Sequence, residues 1–158
     1  MAHLPKEEFM RLAITEAEGA RQAGDYAIGA VIVRDEKILA SSGNRIRQGC
    51  DPTQHAEIVA IRLACARAGS SHIDGAILYT TAEPCPMCAA AAIWARMGGI
   101  VSGSTIDDMA QFRAKLGNSQ WSWRTVDLAA RTVLEQGHPR LFLVEGFLRE
   151  ECVRLFHS

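Results

Sequence analysis

Two short stretches hold the residues best suited to chemistry: Pro84-Cys85-Pro86-Met87-Cys88, and His55-Ala56-Glu57 upstream of it. Cys85 and Cys88 are three apart, so a helix would set both sulfurs on one face, where they can grip one ion. His55 adds a nitrogen ligand. Three protein ligands around a tetrahedral Zn2+ leave one position for water, the ligand count of a catalytic rather than a structural zinc. Zinc lowers the pKa of bound water toward about 7, which makes it a competent nucleophile. Glu57 is then the group to move protons to and from that water. The set predicts one zinc per chain on His55, Cys85 and Cys88, with Glu57 as the catalytic acid and base.

Other uses of these residues fit less of the pattern. A C-x-x-C pair alone suits a redox dithiol, but that leaves His55 and Glu57 without a role. A structural zinc needs a fourth ligand. The remaining histidines (His72, His138 and His157 among them) and cysteines show no second C-x-x-C or H-x₃₋₅-H spacing. Cys50, Cys65 and Cys152 read as small hydrophobic residues.

The elements that must position these groups follow from hydrophobic periodicity and turn residues. Glu7 to Ala23 has Phe9, Leu12, Ala13, Ala17 and Ala20 near helical spacing, and Gly24-Asp25 stops it. Ile28 to Val33 and Ile38 to Ala40, joined by Arg34-Asp35-Glu36-Lys37, predict a hairpin closed by Gly43-Asn44. A polar loop leads to a helix over Gln54 to Ala68. Ala76 to Thr81 has the near-continuous apolar character of a strand buried on both faces. Cys85 to Met97 predicts an alanine-rich helix, and Ile100 to Gly103 a strand. Thr105 to Trp123 reads as one short helix and a long loop. Val126 to Glu135 predicts a helix, Leu141 to Val144 a strand and Leu148 to Phe156 a closing helix. Two paired strands followed by strands alternating with helices predict an α/β fold, a mixed sheet with helices on both faces. Helices that start near the ligands would favour thiolate over thiol through their positive ends. His55 and Glu57 are two apart and would diverge on a regular helix, so His55 is expected just before the helix becomes regular.

The 158 residues are 48% hydrophobic and 22% charged, which predicts a single folded domain over 1–158. A net charge of −1 argues against a protein that binds polyanions by bulk electrostatics, so nucleic acid is not the expected partner. No stretch approaches the ~20 apolar residues needed to span a bilayer, and the polar start does not suit a secretory signal. Five cysteines without disulfide-scaffold spacing suit a reducing, cytoplasmic location.

With these residues in place, the chain resembles the cytidine deaminase-like zinc superfamily. Gly43-Asn44, Asp51-Pro52-Thr53-Gln54-His55-Ala56-Glu57 and Glu83-Pro84-Cys85-Pro86-Met87-Cys88 stand in the order that superfamily uses, and H-x-E…P-C-x-x-C is the signature of zinc nucleobase deaminases. The resemblance is specific over about residues 7 to 103 and loose beyond. It implies a three-layer α/β/α fold around a five-stranded mixed sheet, usually dimeric, and hydrolytic removal of an amine from a heterocycle. Asp-Pro-Thr before His-Ala-Glu is similar to two branches, bacterial guanine deaminases and tRNA adenosine deaminases. Pro86-Met87 and Trp94-Ala95 look more like the first; Glu145 to Cys152 is similar to the ending of the second. Ala27 stands where both usually carry Pro. The resulting expectation is a deaminase of a free nucleobase or small nucleoside, led by guanine, in purine metabolism. A tRNA wobble adenosine deaminase is the alternative, and deamination of another base such as cytosine, or a non-catalytic binding domain, ranks lower. Glu57 discriminates against the last, because a scaffold has no use for it.

The substrate contacts expected around the zinc are Asn44, His55, Ala56, Trp94, Trp121 and Trp123. Asn44 on its own fits either a Gly-Asn turn or an amide reading a heterocycle edge; the resemblance favours the second. Trp94 fits helix packing as well as ligand contact. A planar ring needs an aromatic wall, since base–aromatic stacking contributes ~1–3 kcal/mol. The expectation is that Trp121 or Trp123 supplies it, to its own or a neighbouring subunit's pocket, or that the closing helix does so with Phe156.

Overall fold

The computed structural model describes residues 3–116 and 124–157. Helix α1 (Glu7–Gln22) is followed by strands β1 (Gly29–Arg34) and β2 (Lys37–Gly43), then by a single turn, α2 (Ile46–Gly49), and by α3 (Ala56–Ala68). Strand β3 (Ile77–Ala82), α4 (Pro86–Trp94) and β4 (Gly99–Ser104) form the middle of the chain. Helices α5 (Ile106–Leu116) and α6 (Ala130–Glu135), β5 (Phe142–Val144) and α7 (Arg149–Arg154) complete it, with a 3-10 turn over Leu155–His157.

The five strands form one sheet in the order β2-β1-β3-β4-β5. β1 is antiparallel to β2 and β3, whereas β3, β4 and β5 run parallel. The hairpin turns at Asp35 and Glu36, both with positive φ (51° and 62°), as the right-handed twist of paired strands requires. Side chains alternate across the sheet. Ala30, Ile32, Leu78 and Ile100 face one core with Ala56, Ala60 and Ala64 of α3, Ala89 and Ala92 of α4, and Ala130 and Leu134 of α6. Val31, Val33, Tyr79 and Val101 face the other, with Phe9, Met10 and Ala13 of α1 and Cys152 of α7. These are the three layers, α/β/α, that the resemblance implies.

Small residues let the layers approach. A Cβ on Gly29 would collide with the Ala13 carbonyl, and one on Gly43 would lie 2.6 Å from the Glu16 carbonyl. Helix α1 therefore rests directly on the hairpin backbone, and this fixes where β2 ends and Asn44 begins.

Several boundaries differ from the sequence expectation. Helix α4 stops at Trp94 rather than Met97, because Arg96 turns left-handed at φ 56°. The helix expected from Val126 begins only at Ala130, and the closing helix tightens to 3-10 geometry after Arg154. Helix α5 is longer than the short helix expected there. Its start is a reciprocal cap: Asp108 Oδ2 accepts from Thr105 N (2.9 Å) and Thr105 Oγ1 accepts from Asp108 N (3.1 Å). Arg149 grips the same Asp108 carboxylate, tying α7 to α5. Among the described residues no helix is long and apolar enough to cross a membrane.

Candidate active site

The ligand triad is assembled by two helix starts. His55 is the last extended residue (φ −62°, ψ 148°) before α3, and Cys85 holds the same place (φ −65°, ψ 169°) before α4. Pro86 occupies the first turn of α4, where its missing N–H costs no helical hydrogen bond, and Cys88 follows within that turn. This is why His55 and Glu57, two apart, reach one site: His55 lies outside the regular helix.

His55 Nδ1 is 3.6 Å from Cys85 Sγ and 3.5 Å from Cys88 Sγ, and the sulfurs are 3.7 Å apart. A tetrahedral zinc with ordinary Zn–S and Zn–N bonds has S···S edges of about 3.8 Å and S···N edges of about 3.5 Å. The three donors fit that ion. The Pro52 backbone also favours the charged form of the His55 ring.

The charges agree with this donor chemistry. The hydrogen bond from Cys88 holds the Cys85 thiol down to about 4; burial opposes this and His55 adds to it. The same bond to Cys85, together with burial, pushes Cys88 well above the ordinary thiol range. The Cys85 contact raises His55, and burial raises Glu57.

Glu57, in the first turn of α3, is 3% exposed. Its Oε2 lies 3.7 Å from Cys88 Sγ, beside the triad but not part of it. Thr80 Oγ1, on β3, is 3.0 Å from Glu57 Oε1 and 3.0 Å from the Ala82 carbonyl. A hydroxyl has one hydrogen. It donates to Glu57 when the carboxylate is charged, and turns to Ala82 and accepts when Glu57 carries the proton.

His55, Glu57 and Cys85 open onto a cavity of about 550 Å³ that also takes in Tyr26, Ile28, Asn44, Ile46, Met109, Arg113 and Val126. Asn44, at the end of β2, is buried and donates Nδ2–H to Asp25 Oδ1 at 2.9 Å. Asp25 also accepts the backbone N–H groups of Tyr26, Arg47 and Gln48. Burial pushes Asp25 up, but these bonds, led by that from Asn44, outweigh it and hold the carboxyl below its ordinary range. Tyr26 supplies an aromatic wall, with the Arg47 guanidinium 5.4 Å from its ring centroid. Glu83, just before the Pro-Cys turn, is buried. It accepts from Ile106 N (Oε2, 2.9 Å) and Ala130 N (Oε1, 3.0 Å), the first residues of α5 and α6.

The sequence-derived contacts divide accordingly. Asn44 and His55 line the cavity. Ala56 lies next to it in sequence, but its side chain is buried in the α3 core. Trp94 does not line this chain's cavity: α4 turns Cys88, Ala89 and Ala92 inward, which leaves Trp94 82% exposed on the opposite face. Phe156 packs on Phe112 (centroids 5.7 Å apart) and is also outside the lining. Trp121 and Trp123 lie outside the described residues. Sequence reasoning missed Asp25, Tyr26, Thr80 and Glu83. The usable signal was position: Asp25 and Tyr26 precede the first strand, and Thr80 and Glu83 flank the end of the third.

Three N and S donors that would hold one zinc, with a non-ligating acid beside them, are the set that zinc hydrolases use. Residues 4–104 match the family model described as the cytidine and deoxycytidylate deaminase zinc-binding region. A tRNA-specific adenosine deaminase of Agrobacterium fabrum is 46% identical over 99 residues, 63% of this chain and 65% of that protein. The guanine deaminase of Bacillus subtilis is 42% identical over 106 residues, 66% of this chain and 68% of that protein. A solved structure described under A-to-I editing by tRNA:A34 deaminases superposes with a TM-score of 0.77 at 34% identity, covering 95% of this chain and 99% of that one. The aligned part thus spans just under two thirds of the Agrobacterium relative. The chain belongs to the cytidine and deoxycytidylate deaminase family, whose members are zinc-dependent hydrolases of C–N bonds, and zinc is its cofactor.

Proposed function

We propose that the chain deaminates a free nucleobase or small nucleoside, with guanine the leading substrate, converted with water to xanthine and ammonia. The observation that carries this reading is Glu57, a buried acid 3.7 Å from Cys88 Sγ and facing the same cavity as Asn44. Zinc, held by His55, Cys85 and Cys88, supplies the Lewis acidity that makes water a nucleophile near neutral pH. Glu57 then handles the protons. With Oε1 fixed by Thr80, Oε2 takes a proton from the attacking water and delivers it to the ring nitrogen beside the amino-bearing carbon. A second proton passes by the same carboxyl to the departing amine, so a C–O bond replaces the C–N bond and ammonia leaves. The upward push on Glu57 from burial suits a group that must both take and give protons.

A small substrate is supported by the cavity, whose volume of about 550 Å³ is within the range of roughly 300–1,000 Å³ usual for small-molecule sites. Ile28, Ile46, Met109 and Tyr26 give it apolar walls suited to a planar ring. The likeness to the A34 deaminase over 95% of the chain favours the second reading, a wobble adenosine in tRNA, and Arg113 and Arg124 on the cavity wall are cations a phosphate would use. Ammonia release from guanine, adenine, cytosine and their nucleosides, beside inosine formation in an anticodon stem-loop, separates the two. Guanine is expected to give the highest kcat/KM, with stem-loop binding weaker than micromolar at physiological salt. Inosine at the wobble position, with micromolar or tighter binding, reverses the ranking.

The proposed partner is a second copy of the chain. A tryptophan 82% exposed at the end of the ligand-bearing helix is the kind of residue enriched in buried protein interfaces. Light scattering is expected to give twice the chain mass, and Trp94→Lys to shift it toward one chain. A wild-type mass of one chain would end this reading.

A further inference from the structure

Asn44 is lodged against a carboxylate that leaves it little freedom. Asp25 Oδ2 receives the backbone N–H groups of Arg47 (2.9 Å) and Gln48 (3.2 Å), while Oδ1 receives those of Tyr26 (2.9 Å) and of the Asn44 side chain (2.9 Å). An ionised carboxylate only accepts, so the amide edge turned toward it must be NH2. The carbonyl oxygen is left for the cavity. Among the described residues no donor reaches Asn44 Oδ1, although the side chain is 1% exposed and lines the cavity.

We propose that Asp25 is a positioning residue that fixes the polarity of the Asn44 amide, so that Asn44 Oδ1 accepts from a ring N–H of the substrate and the site selects a free base over its N-substituted forms. This rests on the small-substrate reading above. In a purine base the zinc ligands and Glu57 engage the edge that carries the amino group, which leaves the imidazole edge for Asn44. A free base has an imidazole N–H to give; a base carrying a sugar or a methyl group there has none. A substituted base leaves the Asn44 oxygen buried without a donor, and a buried polar atom left unpaired weakens binding by about tenfold or more.

Asp25→Asn is informative because the new amide nitrogen has a preferred side. On the Oδ2 side it would meet two backbone N–H groups. On the Oδ1 side it meets one, plus the Asn44 amide, which can turn over. The turned amide presents NH2 to the cavity and loses the acceptor.

The test compares guanine with 9-methylguanine, which has no imidazole N–H, in the wild type, Asp25→Asn and Asn44→Ala, with zinc content and Tm measured alongside. The wild type is expected to show a KM at least about tenfold higher for 9-methylguanine. Both variants should narrow that gap to about threefold or less. Asp25→Asn should do so by raising KM for guanine while kcat stays within about threefold and zinc stays bound. A purely structural Asp25 would instead lower Tm and kcat for both compounds and keep the ratio. A gap that persists in Asn44→Ala reports a steric origin and overturns the proposal, even if Asp25→Asn fails to fold. The NMR signals of the Asn44 side-chain amide give a readout independent of substrate. One proton is expected downfield, held by the carboxylate, and displaced in Asp25→Asn; unchanged signals overturn the role of Asp25. If the wild type ignores guanine, the small-substrate reading falls while the amide signals still decide the role of Asp25.

Discussion

Glu57→Gln is expected to keep its zinc and lose nearly all turnover. The two side chains have the same shape, and Thr80 can still donate to the Oε1 position it reaches at 3.0 Å. Glutamine, however, cannot take a proton from water. Losing a general acid–base group costs about 10²–10⁴ in rate, and here one carboxyl serves the attack, the ring nitrogen and the leaving amine, so the loss should reach at least the upper part of that range. Stability should hold or rise slightly, because a buried carboxyl whose ionisation burial opposes is replaced by a neutral amide. Zinc per chain by mass spectrometry and ammonia release together decide the matter: near-normal turnover would remove Glu57 from the mechanism.

Cys88→Ala should fail differently, by losing the metal. Cys88 is fully buried, and its sulfur is within 3.7 Å of Cys85 and 3.5 Å of His55. Without it two ligands remain, too few for a zinc site of either kind. Zinc is expected to fall from about one per chain to near zero after dialysis, with activity falling in proportion. Metal that binds only the folded chain also raises its stability in proportion to RT ln(1 + [L]/Kd). The wild-type Tm should therefore drop on chelation, while that of Cys88→Ala should not respond to added zinc. Full zinc occupancy in the variant would show that the ligand set is wrong.

The triad was readable in the chain because its geometry is local: a spacing of three within one helix turn, and a histidine one residue ahead of another helix. The strands were readable for the same reason, since alternation and a tight turn act over a few residues. Asp25 was not, because its meaning lies in Asn44, Arg47 and Gln48, nineteen to twenty-three positions away, and nothing near Asp25 announces that contact. Trp94 shows another limit. The alanine run before it predicted a helix, and the helix is there, but its phase against the sheet decides whether residue 94 faces in or out. That phase comes from packing between layers. The aromatic wall was sought late in the chain, where tryptophans cluster; Tyr26 provides one from the opposite end.

Glu83 bears on how such a site could be re-tasked. It stands within the matched region, residues 4–104, yet both of its bonds go beyond that region, to the backbone of Ile106 and Ala130. Any residue except proline offers that N–H, so the attachment makes no demand on side chains there. Met109, Arg113 and Val126, which follow or precede those two points along the cavity wall, are free to be exchanged while the wall stays fastened beside the metal. The molecule thus resembles a tool with a fixed handle and an interchangeable bit: substrate preference can drift through Met109, Arg113 and Val126 without disturbing the zinc ligands, Glu57 or the helices that hold them.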